Sequence, residues 1–165
     1  MDRLIFFLTL FGVVGGALIA GTFFIFSVAI MAALSRLPAN EGAAAMQSIN
    51  VVIQNPAFLG VFFGTAIVSL ALGVLSFLDW DAGAGLLLAG ALSYFIGSFA
   101  VTILFNVPLN NALNAADPMS LSGQEIWAHY LTVWTRWNHL RTLFSVASVV
   151  LLILAMVIRG DHPAK

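Results

Sequence analysis

The sequence contains no cysteine among its 165 residues. Disulfides, iron–sulfur clusters, thiolate-bound haem and a cysteine nucleophile are therefore excluded. Charged side chains are also scarce, because Asp, Glu, Lys and Arg make up 8% of the chain, against about 25% in ordinary soluble domains. The six Lys plus Arg and seven Asp plus Glu form no basic block that would bind phosphates, so we expect no nucleic-acid partner.

Apolar residues, by contrast, make up 61% of the chain, and its mean hydropathy is +1.04. A soluble domain of this composition would expose large apolar patches, whereas a membrane helix needs about 20 consecutive apolar residues. The sequence predicts an all-α integral membrane four-helix bundle in a single domain, residues 1–165. Its spans are expected at about 4–34, 56–78, 84–105 and 138–158. The first span is too long for the apolar region of a signal peptide, about 7–15 residues, so we interpret it as retained.

Two polar segments, 35–55 and 106–123, separate these spans. The first includes a short stretch at 43–55 that could form an interfacial helix, and the second reads as a loop or a broken helix. Asn55 is a candidate N-cap before Pro56. The fourth helix is expected to extend beyond the bilayer at its N-terminal end and to enter the membrane near Asn138.

Small residues at spacings of four indicate close helix packing. The pairs are Gly12 and Gly16, Ala17 and Gly21, Gly60 and Gly64, and Ser93 and Gly97.

Basic residues are nearly balanced between the two membrane faces. Arg3, Arg159 and Lys165 lie on the side of the termini, and Arg36, Arg136 and Arg141 on the other. If Arg136 and Arg141 belong to a site, the count favours cytoplasmic termini. We therefore expect a bacterial inner-membrane protein with both termini in the cytoplasm.

Topology brings the unusual polar residues to one end of the bundle. That end receives Asn106, Asn110, Asn138, His139 and Arg141. Because polar groups near hydrocarbon are costly, this concentration indicates a functional pocket. The alternative is a set of helix caps and solvated loop residues.

An aromatic stripe leads to the same end. Trp127, Tyr130, Trp134, Trp137 and Arg141 recur in steps of three and four, which places them on one helical face. A guanidinium beside an apolar span needs an anionic or carbonyl partner. That partner could be a planar oxygenated ligand, or a loop carboxylate such as Asp117 or Glu125.

The histidines do not predict a metal site. His129 and His139 are separated by about 15 Å of rise and about 80° of rotation on a helix, and His162 lies in the tail at the opposite end. We expect no metal site. His139 is either a proton acceptor or an ordinary interfacial residue.

Two motifs carry a family resemblance. Asn106-Val107-Pro108-Leu109-Asn110 and Trp134-Thr135-Arg136-Trp137-Asn138-His139-Leu140-Arg141 resemble the anthrone oxygenase-like family of small membrane proteins. The resemblance implies oxidation of a hydroxylated aromatic compound by molecular oxygen, with no dedicated cofactor.

The resemblance also implies candidate site residues. His139 is the candidate base, and Arg141 with Asn138 would hold the oxyanion. The candidate substrate-binding residues are Asn106, Pro108, Asn110, Trp134 and Trp137, with the two tryptophans as an apolar wall. Pro108 would interrupt backbone pairing and leave carbonyls free to face the pocket.

Two other functions remain open from the sequence. One is a non-catalytic membrane module that binds a lipid, a quinone or a partner helix. The other is a transporter or channel subunit, which ranks lowest because no span carries a central charge or an evident internal repeat. We expect membrane lipid and a small aromatic or quinone-like ligand as partners, and a homo-oligomer is left open.

Overall fold

The computed structural model describes residues 3–161, so the predictions that involve His162 and Lys165 lie outside the described residues. The chain forms five helices in this range: α1 (Arg3–Leu34), α2 (Ala39–Val52), α3 (Pro56–Leu78), α4 (Ala84–Ala115) and α5 (Leu121–Asp161). Every regular element of the described residues is helical, which confirms the all-α prediction.

Four of these helices, α1, α3, α4 and α5, are long and apolar enough to cross a membrane. Their outward faces carry large apolar side chains, such as Phe7, Leu18, Ile67, Phe77 and Leu143, which are all exposed. A surface of this kind is stable against lipid and not against water. The chain is therefore an integral membrane protein.

The four long helices form a ring in which α1 packs on α3, α3 on α4, α4 on α5, and α5 on α1. α5 has 41 residues, so it is about 62 Å long and exceeds the bilayer's hydrocarbon thickness of about 30 Å. Its N-terminal half leaves the ring and packs against α2 and the last turns of α4. The fourth span thus extends beyond the bilayer at its N-terminal end, as predicted.

A buried ion pair closes the bundle at the end where α3 turns into α4. Arg159 of α5 contacts Asp79 at 2.9 Å and Asp81 at 2.6 Å, and its side chain is 1% exposed. The turn depends on Gly83, whose φ of +87° is a left-handed conformation that side chains disfavour. At this end, then, the buried cation has two carboxylate partners, which are themselves partly exposed.

The third span differs from the sequence prediction of a loop or broken helix after residue 105. α4 continues to Ala115, through two π-helical segments at Ser93–Ala100 and Thr102–Asn106. The widened turn directly precedes Pro108, whose missing N–H is tolerated in the first turn of the segment that follows. The asparagines of this segment bond to other helices and not to their own backbone, so they do not break the helix.

The first polar segment is largely helical. α2 occupies Ala39–Val52, and the predicted N-cap at Asn55 is present, because its side chain accepts a hydrogen bond from the backbone N–H of Phe58 at 3.0 Å. α2 lies over the end of the bundle and buries Met46 and Asn50. It thereby covers the space between α1, α3 and α5.

Candidate functional site

A cavity of about 210 Å³ lies beneath α2, at the end of the bundle that carries the long connections. All five helices contribute to its wall. Its polar lining consists of Thr22, Asn50, Gln54, Thr102, Asn110, Asn111 and Arg141. Its apolar lining is rich in aromatic rings, namely Phe23, Phe26, Phe58, Phe62, Phe63 and Trp134, together with aliphatic side chains.

Arg141 is the charged residue of this wall, and it is 5% exposed. The guanidinium carbon lies 3.8 Å from the ring centroid of Phe23 and 4.8 Å from that of Trp134, so the cation contacts two aromatic faces. Its Nη1 donates a hydrogen bond to Thr102 Oγ1 at 3.3 Å. These contacts fix the guanidinium plane at the edge of the cavity.

No carboxylate compensates this charge among the side chains that the structure describes. The predicted alternatives, Asp117 and Glu125, are exposed, and neither forms an ion pair with Arg141. The salt bridges of the described residues belong to Arg159 at the opposite end. Arg141 therefore keeps a buried positive charge whose hydrogen-bond acceptors are all neutral.

Asn138 holds the guanidinium in place from behind the cavity wall. Its Oδ1 accepts hydrogen bonds from Nε and Nη2 of Arg141, at 3.0 Å and 2.8 Å. Its Nδ2 donates to the Phe23 carbonyl at 2.8 Å and to Ser27 Oγ at 2.7 Å. Because Asn138 is fully buried and does not line the cavity, it positions Arg141 and does not itself meet a ligand.

Asparagines from two helices, α2 and α4, lie on the polar side of the cavity. Asn110 lines it and accepts a hydrogen bond from the Tyr130 hydroxyl at 2.8 Å, while Asn50 donates to Asn114 at 3.2 Å. Asn106 lies deeper, where its Nδ2 donates to the Trp134 carbonyl at 3.2 Å. These contacts connect α2, α4 and α5.

The aromatic stripe on α5 is present but differs by one residue from the prediction. Trp127, Tyr130 and Trp134 are buried and stack in succession, with ring centroids 5.8 Å and 5.4 Å apart. Trp137 lies outside the cavity wall, since its ring stacks on that of Phe105 with the ring centroids 3.9 Å apart. The inward position after Trp134 is Asn138, four residues on, since the buried face follows steps of three and four.

His139, the candidate base, lies outside the cavity wall. It follows the buried Asn138 directly, and one residue on a helix turns the side chain by about 100°. His139 is accordingly exposed and does not line the cavity. Pro108 is likewise exposed and outside the wall, so its role in opening backbone carbonyls to the pocket has no support in this geometry.

Of the eight predicted site residues, the structure places Arg141, Asn110 and Trp134 on the cavity wall. Sequence reasoning missed Thr102, Asn111 and the phenylalanines of α1 and α3. Asn50 could have been identified as a candidate from the sequence, since it is polar among apolar neighbours on α2. The phenylalanines of the wall could not, because the sequence alone does not distinguish them from phenylalanines that face lipid.

Among residues 3–161, no three His, Cys, Asp or Glu side chains lie close enough together to hold a metal ion. The polar groups of the cavity wall are amides, hydroxyls and one guanidinium. This donor set suits hydrogen bonding to an oxygen-bearing ligand more than metal binding.

Comparison with known proteins gives one result. The model of the family described as anthrone oxygenase matches residues 58–151, which is more than half of the chain. No curated protein and no solved structure matches the chain. The matched range includes Asn106, Asn110, Trp134, Asn138 and Arg141. The chain belongs to the anthrone oxygenase family.

Proposed function

We propose that this protein oxidises a hydroxylated aromatic substrate with molecular oxygen in the cavity beneath α2, without a dedicated cofactor. The observation that carries the proposal is the Arg141 guanidinium, which is buried between the rings of Phe23 and Trp134, with no carboxylate of the described side chains beside it. A planar aromatic anion fits such a site, because its oxygen meets the cation while its rings meet the apolar wall. Membership of the anthrone oxygenase family supports this class of reaction.

The chemistry balances with the substrate as the reductant. An ionised, electron-rich ring system passes one electron to oxygen, and the resulting radical and superoxide combine at a ring carbon. A CH₂ group at that carbon becomes a carbonyl: one oxygen atom stays on carbon, and the other leaves as water with the two hydrogens that the CH₂ group loses. The protein binds the anion, excludes bulk water and stabilises the negative charge.

Residues in and behind the cavity wall have different roles in this reaction. Arg141 stabilises the oxyanion, and Thr102 and Asn138 hold the guanidinium in a fixed orientation before the substrate arrives. The ring of Trp134 adds an aromatic face to the wall beside the guanidinium. The phenylalanine rings pack against the substrate.

We also propose a location and an orientation. The protein resides in a bacterial inner membrane with both termini in the cytoplasm, so the cavity opens toward the opposite face. Apolar substrates partition into the bilayer. They would reach the cavity beside α2, where a hollow of about 330 Å³ shares Phe26, Ile49 and Ile53 with the cavity wall.

Oxygen consumption by the purified protein with a hydroxyanthrone tests the reaction. We expect Arg141→Ala to lower the rate about a hundredfold, the usual effect of removing one oxyanion-stabilising donor. Arg141→Lys should recover only part of the rate, because an ammonium keeps the charge but loses the planar contact with the two rings. Asn138→Ala should also reduce the rate, since Arg141 then loses two hydrogen bonds.

Arg136→Ala is the matched control, because Arg136 is an exposed cation on the same helix. It should react at the wild-type rate. Equal rates for wild type and Arg141→Ala would refute the proposal. Saturable ligand binding without oxygen consumption would instead favour the non-catalytic binding module.

A further inference from the structure

Among residues 3–161, the cavity wall contains no group suited to remove a proton from a ligand. Of the nineteen described residues that line it, Arg141 alone is charged, and none is a histidine, lysine, aspartate or glutamate. The exposed His129 and His139 lie outside the wall, as do the exposed carboxylates of Glu41, Asp117 and Glu125. A general base needs to lie within hydrogen-bond reach of the proton that it takes.

Titratable groups just behind the wall are tyrosines. The Tyr130 hydroxyl on α5 donates its proton to Asn110 Oδ1, and its ring stacks on that of Trp134 in the cavity wall. The Tyr94 hydroxyl on α4 donates to the Phe62 carbonyl. From α1, α2 and α3, the described residues that line the cavity include no titratable side chain.

The charge of Arg141 is, in contrast, incompletely satisfied. A guanidinium has five N–H donors, and three of them bond to Asn138 Oδ1 and Thr102 Oγ1. The other two have no partner among the described residues. A buried cation that faces only neutral oxygens in an apolar bundle is costly, and an anion that enters the cavity removes that cost.

We infer that the cavity takes its ligand as an anion that has already lost its proton, with Arg141 as the counter-cation. The O–H bond breaks before the ligand enters, so the proton passes to water and the electron pair stays on the ligand oxygen. A neutral ligand would leave Arg141 uncompensated and would find no proton acceptor in the cavity. The inference rests on the proposed function for the ligand class, a hydroxylated aromatic anion, and adds that the proton is lost before the ligand enters the cavity.

Anaerobic binding of substituted naphthols, followed by quenching of tryptophan fluorescence in detergent, tests the inference separately from oxidation. We expect the affinity for each naphthol to rise at least tenfold as the pH passes the pKa of its hydroxyl group. The pH at the midpoint of this rise should move with the ligand, from the more acidic dinitro-substituted naphthols to the less acidic mononitro-substituted ones. The O-methyl ethers, which cannot ionise, should bind weakly at every pH.

Variants that neutralise the cation provide a second test. Asn138→Asp and Thr102→Asp each place a carboxylate beside the guanidinium, so they should weaken binding of the ionised naphthol at least tenfold while the ether is unaffected. Two positions are used so that a folding defect in one variant leaves the other informative. Thr132→Asp is the control, because it adds a carboxylate to an exposed position of α5. Tyr130→Phe should leave the pH midpoints unchanged.

The outcomes distinguish this inference from the proposed function. A midpoint that is the same for all naphthols, equal binding of the ethers, or a midpoint that disappears in Tyr130→Phe would overturn the inference. If hydroxyanthrone is nevertheless oxidised, the proposed function stands without it. If the midpoints follow the ligands but no oxygen is consumed, the inference stands and the proposed function fails. Absence of any binding would overturn the inference.

Discussion

Phe23 supports Arg141 both through its ring and through its backbone. The ring centroid lies 3.8 Å from the guanidinium carbon, and the carbonyl oxygen accepts a hydrogen bond from Asn138, the residue that in turn accepts two bonds from Arg141. A π-helical turn, Phe26–Ile30, follows shortly after Phe23, and such widened turns are frequent at functional sites. The position of the cation on α5 therefore depends on the local shape of α1.

Replacement of Phe23 by leucine removes the ring and keeps the carbonyl. We expect Phe23→Leu to lower the free energy of unfolding by about 2 kcal/mol, because a desolvated cation–π contact is lost. Phe24→Leu is the control, since Phe24 is exposed on the outer face of the same helix and should change stability by less than about 0.5 kcal/mol. Denaturant titration in detergent measures both, and equal values for the two variants would contradict the contact's importance.

The position of His139 outside the cavity makes a direct prediction for activity. His139→Gln should oxidise hydroxyanthrone within about twofold of the wild-type rate, because the side chain is exposed and does not line the cavity. Rates measured across the pH range should keep the wild-type profile. A loss of a hundredfold or more would restore His139 as the base, since general bases contribute about that much.

The predictable and unpredictable parts of the site have different physical origins. Apolar runs longer than a bilayer's thickness identify the spanning helices without any tertiary knowledge, and topology then assigns Asn110 and Arg141 to one end. The choice between adjacent residues of a helix requires its rotation. His139 and Trp137 lie outside the cavity wall because α5 turns Asn138 inward, where its side chain donates hydrogen bonds to Phe23 and Ser27 of α1.

The extent of α4 shows a second limit of structure prediction from local sequence. A run of asparagines with a proline predicts a loop because these side chains usually compete for the local backbone. Here Asn106, Asn110 and Asn114 have partners on α2 and α5, so the helix continues. Such partners come from distant parts of the chain, and local propensity does not reveal them.

Close helix packing predicts that Gly97 tolerates no side chain. A Cβ on Gly97 would overlap Cβ, Cγ and Cδ1 of Phe144, which lie too near the backbone to move aside. Gly97→Ala should therefore cost about 1–3 kcal/mol of stability. Gly60→Ala is the control, because no atom lies within 4 Å of the added carbon. Similar unfolding curves for both variants would argue against tight contact between α4 and α5.

The ion pairs of Arg159 predict that losing the arginine and losing its two aspartate partners have different effects on stability. The arginine is 1% exposed whereas Asp79 and Asp81 are 57% and 40% exposed, so only the cation depends on the pairing for its solvation. The double variant Asp79→Asn/Asp81→Asn should lose about 3 kcal/mol, because a buried charge is left unpaired. Arg159→Met should lose less, since water solvates the remaining carboxylates. The reverse order in denaturant titration would contradict this, and naphthol affinity should stay unchanged in all three proteins.

Because the chain has no cysteine, single-cysteine variants report orientation without background labelling. Ala82 lies in the exposed turn between α3 and α4, on the side of the termini, and Ser122 is exposed at the cavity end. With cytoplasmic termini, a membrane-impermeant maleimide should label Ser122→Cys in cells whose outer membrane is permeable to the reagent. Ala82→Cys should react only after the inner membrane is disrupted. The opposite pattern would place the cavity on the cytoplasmic side, and labelling of both variants in intact cells would argue against a four-span topology.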